Sequence, residues 1–105
     1  MAENYRIESS PKADADLDRI YQYIFWASQD QGIASAFIAR IKNAIKSAAF
    51  LPRSFSRFLD DGLFEREVRK IVFGSYIIPF IIDEVTKTVY IVRILHGKMD
   101  YHRYL

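Results

Sequence analysis

Apolar and polar residues alternate from Asn4 to Ser9, with Tyr5 and Ile7 on one parity, and a period of two describes a short strand buried on one face. Ser10-Pro11 stops the alternation. Serine is a strong N-cap, and proline suits the first helical position, where its missing N–H would be unpaired in any case. Ala13, Leu17, Ile20, Tyr21 and Ile24 then recur at three- and four-residue spacing. That pattern predicts a helix from Pro11 to about Ser28, with Asp14, Asp18, Arg19 and Gln22 in solvent. Gln29-Asp30-Gln31-Gly32 reads as a tight connection. Asp30 or Gln31 opens a second helix whose apolar positions are Ile33, Ala34, Phe37, Ile38, Ile41, Ala44, Ile45 and Ala48, and Pro52 ends it. Two helices joined by so few residues run antiparallel, and the alanines let them approach closely. The result is a helical hairpin with one face still to be covered.

Leu51 to Leu63 mixes Pro52, Ser54, Ser56 and Asp60-Asp61-Gly62 and reads as a loop holding at most a turn of helix. From Glu65 the pattern becomes strand-like, with Arg66, Val68, Lys70 and Val72 on one parity and Glu67, Arg69, Ile71 and Phe73 on the other. Gly74-Ser75 makes a hairpin turn into a strand from Tyr76 to Ile82. Pro79 within that strand lacks a ladder donor, so its nitrogen must face an edge, a bulge or solvent. Asp83 to Lys87 turns the chain again. Thr88 to Leu95, rich in β-branched and aromatic residues, reads as a central strand. The order β-α-α-β-β-β defines an α+β fold: a helical hairpin packed on a small antiparallel sheet, with the first strand joining the edge of a three-stranded meander. The other sheet face and part of the hairpin stay available to a partner.

A length of 105 residues, half of them hydrophobic, fits one domain over 1–105 with a modest core. The absence of cysteine leaves packing, or a partner, to hold it together. No apolar run approaches the ~18 residues of a membrane span, and the residues after Met1 lack the pattern of a secretory signal, so a soluble cytoplasmic protein is expected. A formal charge of +2 with pI near 8.9 falls short of the basic loading of a nucleic-acid binder, and no sequence-specific DNA contact is expected. Eight Phe, seven Tyr and one Trp are a heavier signal, because rings left at the surface serve interfaces. Tyr5, Tyr21, Tyr23, Trp26 and Phe37, at helical spacing or beside it, read first as core. Phe50, Phe55, Phe58 and Phe64 either pin the loop or form an apolar patch.

Candidate chemistry is sparse. His96 and His102 are too few for a metal site, and no metalloprotease, P-loop, serine-hydrolase or dinucleotide motif occurs, so neither metal nor cofactor is expected. A metal-independent ribonuclease needs a base and cations that stabilise charge on phosphate. Arg66, Arg69, Lys70, Arg93, Lys98 and Arg103 offer cations, while Tyr76, His96, Tyr101 and Tyr104 offer proton-transfer groups. Alternatively, basic residues on the outer parity of strands protect edges and keep the protein soluble.

The order of elements, with Ala13-Asp14-Ala15-Asp16-Leu17-Asp18-Arg19-Ile20 opening the first helix, resembles the RelE/ParE superfamily of type II toxin-antitoxin toxins. Arg69 upstream of Gly74-Ser75-Tyr76, then Arg93-Ile94-Leu95-His96-Gly97-Lys98-Met99-Asp100 and a terminal Leu105, resembles the ParE branch. That resemblance implies a toxin that inhibits DNA gyrase by binding, with no catalytic residue of its own. It also implies a cognate antitoxin that folds across the hairpin and sheet faces in a toxin-antitoxin hetero-oligomer. His96, Lys98, Met99, Asp100, Tyr101, His102 and Arg103 are the implied gyrase-binding or toxicity residues. RelE-type members instead cleave messenger RNA on the ribosome, and the matching set here is Arg69, Lys70, His96 and Tyr104. Ile77 stands where those enzymes carry an arginine, and Met99 where they carry a second cation, which makes the ribonuclease the alternative. A module that keeps the antitoxin groove without activity is the third reading. Pro79 also departs from the aromatic or aliphatic residue usual in the third strand of the family.

Overall fold

The computed structural model describes residues 4–58 and 67–97. A short strand, β1 (Arg6–Ser9), leads into α1 (Pro11–Ser28) and α2 (Gln31–Lys46). Single 3-10 turns follow at Ser47–Ala49 and Pro52–Ser54, and then β2 (Val68–Phe73), β3 (Tyr76–Asp83), β4 (Thr88–Ile91) and β5 (Leu95–His96).

Local chemistry sets the helix limits. Ser10 is extended, with φ −70° and ψ 157°, and its Oγ accepts from the Ala13 N–H at 2.9 Å while Pro11 fills the first helical position. Gln29 closes α1 in the left-handed region at φ 56°, and its N–H reaches the Phe25 carbonyl. Asp30 caps α2 by accepting from the Ile33 N–H at 3.1 Å, so the connection is Gln29-Asp30 and Gly32 lies inside the helix. The second helix stops at Lys46, short of Ala48, because the chain tightens into a 3-10 turn before Pro52.

The sheet runs β1-β4-β3-β2, with β5 also paired to β3. β1 lies parallel to β4, in the register Arg6↔Thr88 to Ser9↔Ile91, and the other pairs are antiparallel. The hairpin covers the face carrying Ile71, Ile78, Phe80, Val89 and Ile91, and Ala13, Ile20, Ile41, Ile45 and Ala48 complete that core. On the opposite face Val72 and Tyr90 are exposed, whereas Val68, Pro79 and Leu95 are buried. Phe55 pins the loop after α2 by packing edge-on against Phe80, with centroids 5.7 Å apart, and Phe58 is buried. Phe50 is exposed, and Phe64 lies outside the described residues. The reading of all five helix-region aromatics as core needs correction for two: Tyr23 and Trp26 are 66% and 69% exposed. At about 100° per residue Trp26 falls some 140° around α1 from Ala13, on the solvent side.

The expected strand from Thr88 to Leu95 is broken in the structure. Phe80 pairs with Ile91 and Ile77 with Leu95, so Ile78 and Pro79 face Val92, Arg93 and Ile94: a bulge of one extra residue. The Lys70 N–H points away from β3, to the Ser56 carbonyl at 3.0 Å, which turns the backbone polar groups of its partner Pro79 toward β4. There the Pro79 carbonyl accepts from the Val92 N–H at 3.0 Å. The missing proline N–H therefore falls where the ladder is interrupted.

Candidate functional site

Two polar side chains of α1 and its cap satisfy the bulge. Ser10 Oγ donates to the Val92 carbonyl at 2.6 Å. Asp16, 3% exposed, lies under the break and accepts from the Ile94 N–H at 2.9 Å and from Arg93 Nε at 2.8 Å through Oδ2. Its Oδ1 accepts from Arg93 Nη2 at 2.9 Å and from Arg19. Burying a carboxylate is costly unless it is paired and fully hydrogen-bonded, and the bidentate guanidinium with the backbone donor meets both conditions.

Beyond the bulge, β5 places His96 directly across from Tyr76, with the rings edge-on at 5.4 Å between centroids. The Tyr76 ring also meets Phe37 edge-on, with centroids 5.9 Å apart. Burial pushes the Tyr76 phenol above its ordinary pKa, and Tyr23 adds to that shift. Tyr76, His96, Ile94, Tyr23 and Arg19 line a concavity of about 170 Å³ between α1 and the end of the sheet. The Gly97 N–H donates to the Ser75 carbonyl at 2.6 Å, which fastens the chain beside the β2–β3 turn just before Lys98.

Of the residues expected from the sequence to bind gyrase, His96 is thus the one within the described residues. Lys98, Met99, Asp100, Tyr101, His102 and Arg103 lie outside them, as does Tyr104. The ribonuclease set is dispersed as far as it is described. Arg69 and Lys70 are neighbours on β2 and project to opposite sheet faces. The Arg69 guanidinium is bound to the Phe55 carbonyl at 2.6 Å and to Glu67. Arg69 stands four residues from Phe73, the partner of Tyr76, roughly 13 Å along the strand at ~3.3 Å per residue. Arg93, one of the cations that the sequence offers for phosphate chemistry, is buried in its pair with Asp16. Among the described residues no group of His, Cys, Asp or Glu could hold a metal, and no helix is long and apolar enough to cross a membrane.

Sequence reasoning missed Asp16 as a buried group. The available signal was its place on the apolar stripe, three residues after Ala13 and four before Ile20.

Solved structures from two toxin-antitoxin systems share this fold. The chain is similar to one from the chromosomal ParDE system of P. aeruginosa, with TM-score 0.72 and 20% identity, covering 90% of this chain and 97% of that one. It is also similar to one from the RelBE2 toxin-antitoxin complex of Mycobacterium tuberculosis, with TM-score 0.62 and 20% identity, covering 90% and 92%. A search of curated proteins finds no match. Residues 7–101 match the ParE toxin of the type II toxin-antitoxin system parDE, and the chain belongs to that family.

Proposed function

We propose that this toxin inhibits DNA gyrase and is neutralised by a cognate antitoxin. The observation that carries the reading is the family match over residues 7–101, which runs through His96 and on to Tyr101. The dispersal of Arg69 and Lys70 to opposite sheet faces adds support, because phosphoryl chemistry without a metal needs its cations gathered around one phosphate. Inhibition by binding requires only a surface. We assign that surface to His96, Lys98, Met99, Asp100, Tyr101, His102 and Arg103. The antitoxin is a segment that covers the hairpin and sheet faces, a mode in which a chain ordering on contact covers a large area.

The test is a supercoiling and DNA-cleavage assay with purified gyrase and the purified chain, beside a ribosome-bound messenger RNA control. Loss of supercoiling with accumulated cleaved DNA is expected. Untouched gyrase with cut message would replace this reading by the ribonuclease, and no effect in either assay would leave an antitoxin-binding module. Alanine at Lys98, Met99 and Asp100 should weaken inhibition in a chain that still folds, and full inhibition by that variant would remove the tail from the surface.

A further inference from the structure

We infer that Asp16 is a positioning residue for the gyrase-facing end of the sheet, acting through the bulge on His96 and on the exit of the chain at Gly97. This inference rests on the proposed function for its activity arm alone. Beyond Ile91, β5 pairs with β3 over two positions only, Tyr76↔His96 and Ile77↔Leu95. So short a strand has little ladder of its own, and Pro79 removes a donor just before it. Besides the Gly97–Ser75 bond and the Tyr76 ring, what aligns β5 is the Asp16 carboxylate, which holds the Ile94 N–H at 2.9 Å, two residues before His96, and grips Arg93 with both oxygens. Because Asp16 is fixed on α1, the same contact sets where His96 stands relative to Arg19 and Tyr23 across the shared concavity.

Stability and positioning separate in one experiment. Replacing a buried ion pair by apolar residues of similar size is often neutral or stabilising, so Asp16→Leu with Arg93→Met can leave the fold intact while deleting the hold on Ile94. Native-state amide exchange, the His96 imidazole resonances and gyrase inhibition are read for this pair and for Asp16→Asn. The asparagine turns a donor toward donors on one of its two edges. Ile45→Val, which trims the core on α2 without removing any hydrogen bond of the bulge, controls for stability loss alone.

The expected result is exchange at Gly97 about tenfold or more faster, the scale of one lost hydrogen bond, together with shifted His96 resonances. Inhibition should weaken by about tenfold or more at temperatures where the variants remain native, with Ile45→Val unchanged in all three. Wild-type exchange at Gly97 and wild-type His96 resonances in a folded Asp16 variant would overturn the inference. So would shifts that Ile45→Val reproduces. If the apolar pair fails to fold, Asp16→Asn read below its melting temperature carries the same comparison. If the wild-type chain itself leaves gyrase untouched, the proposed function fails, and exchange and resonances still decide the positioning role.

Discussion

Ser10→Ala should cost far more than Asp30→Ala, although both remove the N-cap of a helix. Asp30 is exposed, and its side chain accepts one bond, from the Ile33 N–H at 3.1 Å. Its loss should therefore cost the ordinary cap value of about 1 kcal/mol. Ser10 is 9% exposed and does two things: it accepts from the Ala13 N–H at 2.9 Å and donates to the Val92 carbonyl at 2.6 Å. Removing it loses a cap worth about 1 kcal/mol and takes the donor from a carbonyl inside the bulge, for about 1–3 kcal/mol more. The sum is about 2–4 kcal/mol, and each kcal/mol should move Tm by about 4–8 °C in a domain near this size. Ser10→Asp separates the parts, since aspartate caps well but sets a carboxylate against the carbonyl, so it should be no better than alanine. Urea unfolding of the four proteins, with m unchanged, provides the measurement. Equal costs for Ser10→Ala and Asp30→Ala, or full stability in Ser10→Asp, would refute the claim that the Val92 bond matters.

Phe80→Ala should destabilise by about 3–5 kcal/mol, and a double-mutant cycle with Phe55→Ala should return about 0.5–1.5 kcal/mol of coupling for rings that meet at 85°. Zero coupling would mean that Phe55 merely lies over the core. Gly74→Ala should cost about 1–2 kcal/mol, since Gly74 has φ +55° and nothing within 4 Å of a new Cβ, leaving backbone strain as the whole effect. Unchanged stability would show that the turn relaxes. The Tyr5 hydroxyl, and then Arg53, bring the exposed Glu84 carboxylate down to a pKa of about 2. A depressed acid contributes stability above its unfolded pKa and loses it as pH falls through the folded one. Tm should therefore carry a small decline between about pH 4.5 and 2 that Glu84→Gln lacks. Parallel profiles for the two proteins would remove Glu84 from the acid response.

The parts of the fold legible in the sequence are those fixed by chemistry within a few residues. The limits of α1 follow from Ser10-Pro11 at one end and the tight connection at the other, and the β2–β3 turn follows from Gly74-Ser75. Pro79 announced a missing donor, but only the registers on either side, Phe80↔Ile91 and Ile77↔Leu95, decide among edge, bulge and solvent. Asp16 stood among charged neighbours in Ala13-Asp14-Ala15-Asp16-Leu17-Asp18, where polarity masks position. Its partner Arg93 is 77 residues away, beyond the reach of periodicity. Tyr23 and Trp26 lie at or beside helical spacing, but their angle around α1 turns them to solvent. The candidate site was legible as a stretch of chain around His96, whereas the concavity beside it depends on how α1 crosses the end of the sheet.

That crossing has a physical specification of its own. Of the polar or charged residues buried among the described positions, Ser10, Asp16 and Arg93 all belong to the bulge, and Thr88 alone does not. A core of isoleucine, alanine and valine tolerates volume-conserving exchange and small slips of a helix over a sheet, because apolar contacts have little directionality. A carboxylate that accepts from Arg19, twice from Arg93 and from the Ile94 N–H tolerates neither, since a displacement of about 1 Å breaks bonds that water cannot replace in a buried site. The apolar core therefore drives the hairpin onto the sheet, while the bulge selects the alignment at which it stops. His96 lies two residues past Ile94, so it inherits that alignment directly, and core changes that touch neither the bulge nor the Phe37–Tyr76–His96 ring contacts should reach it only by unfolding the domain.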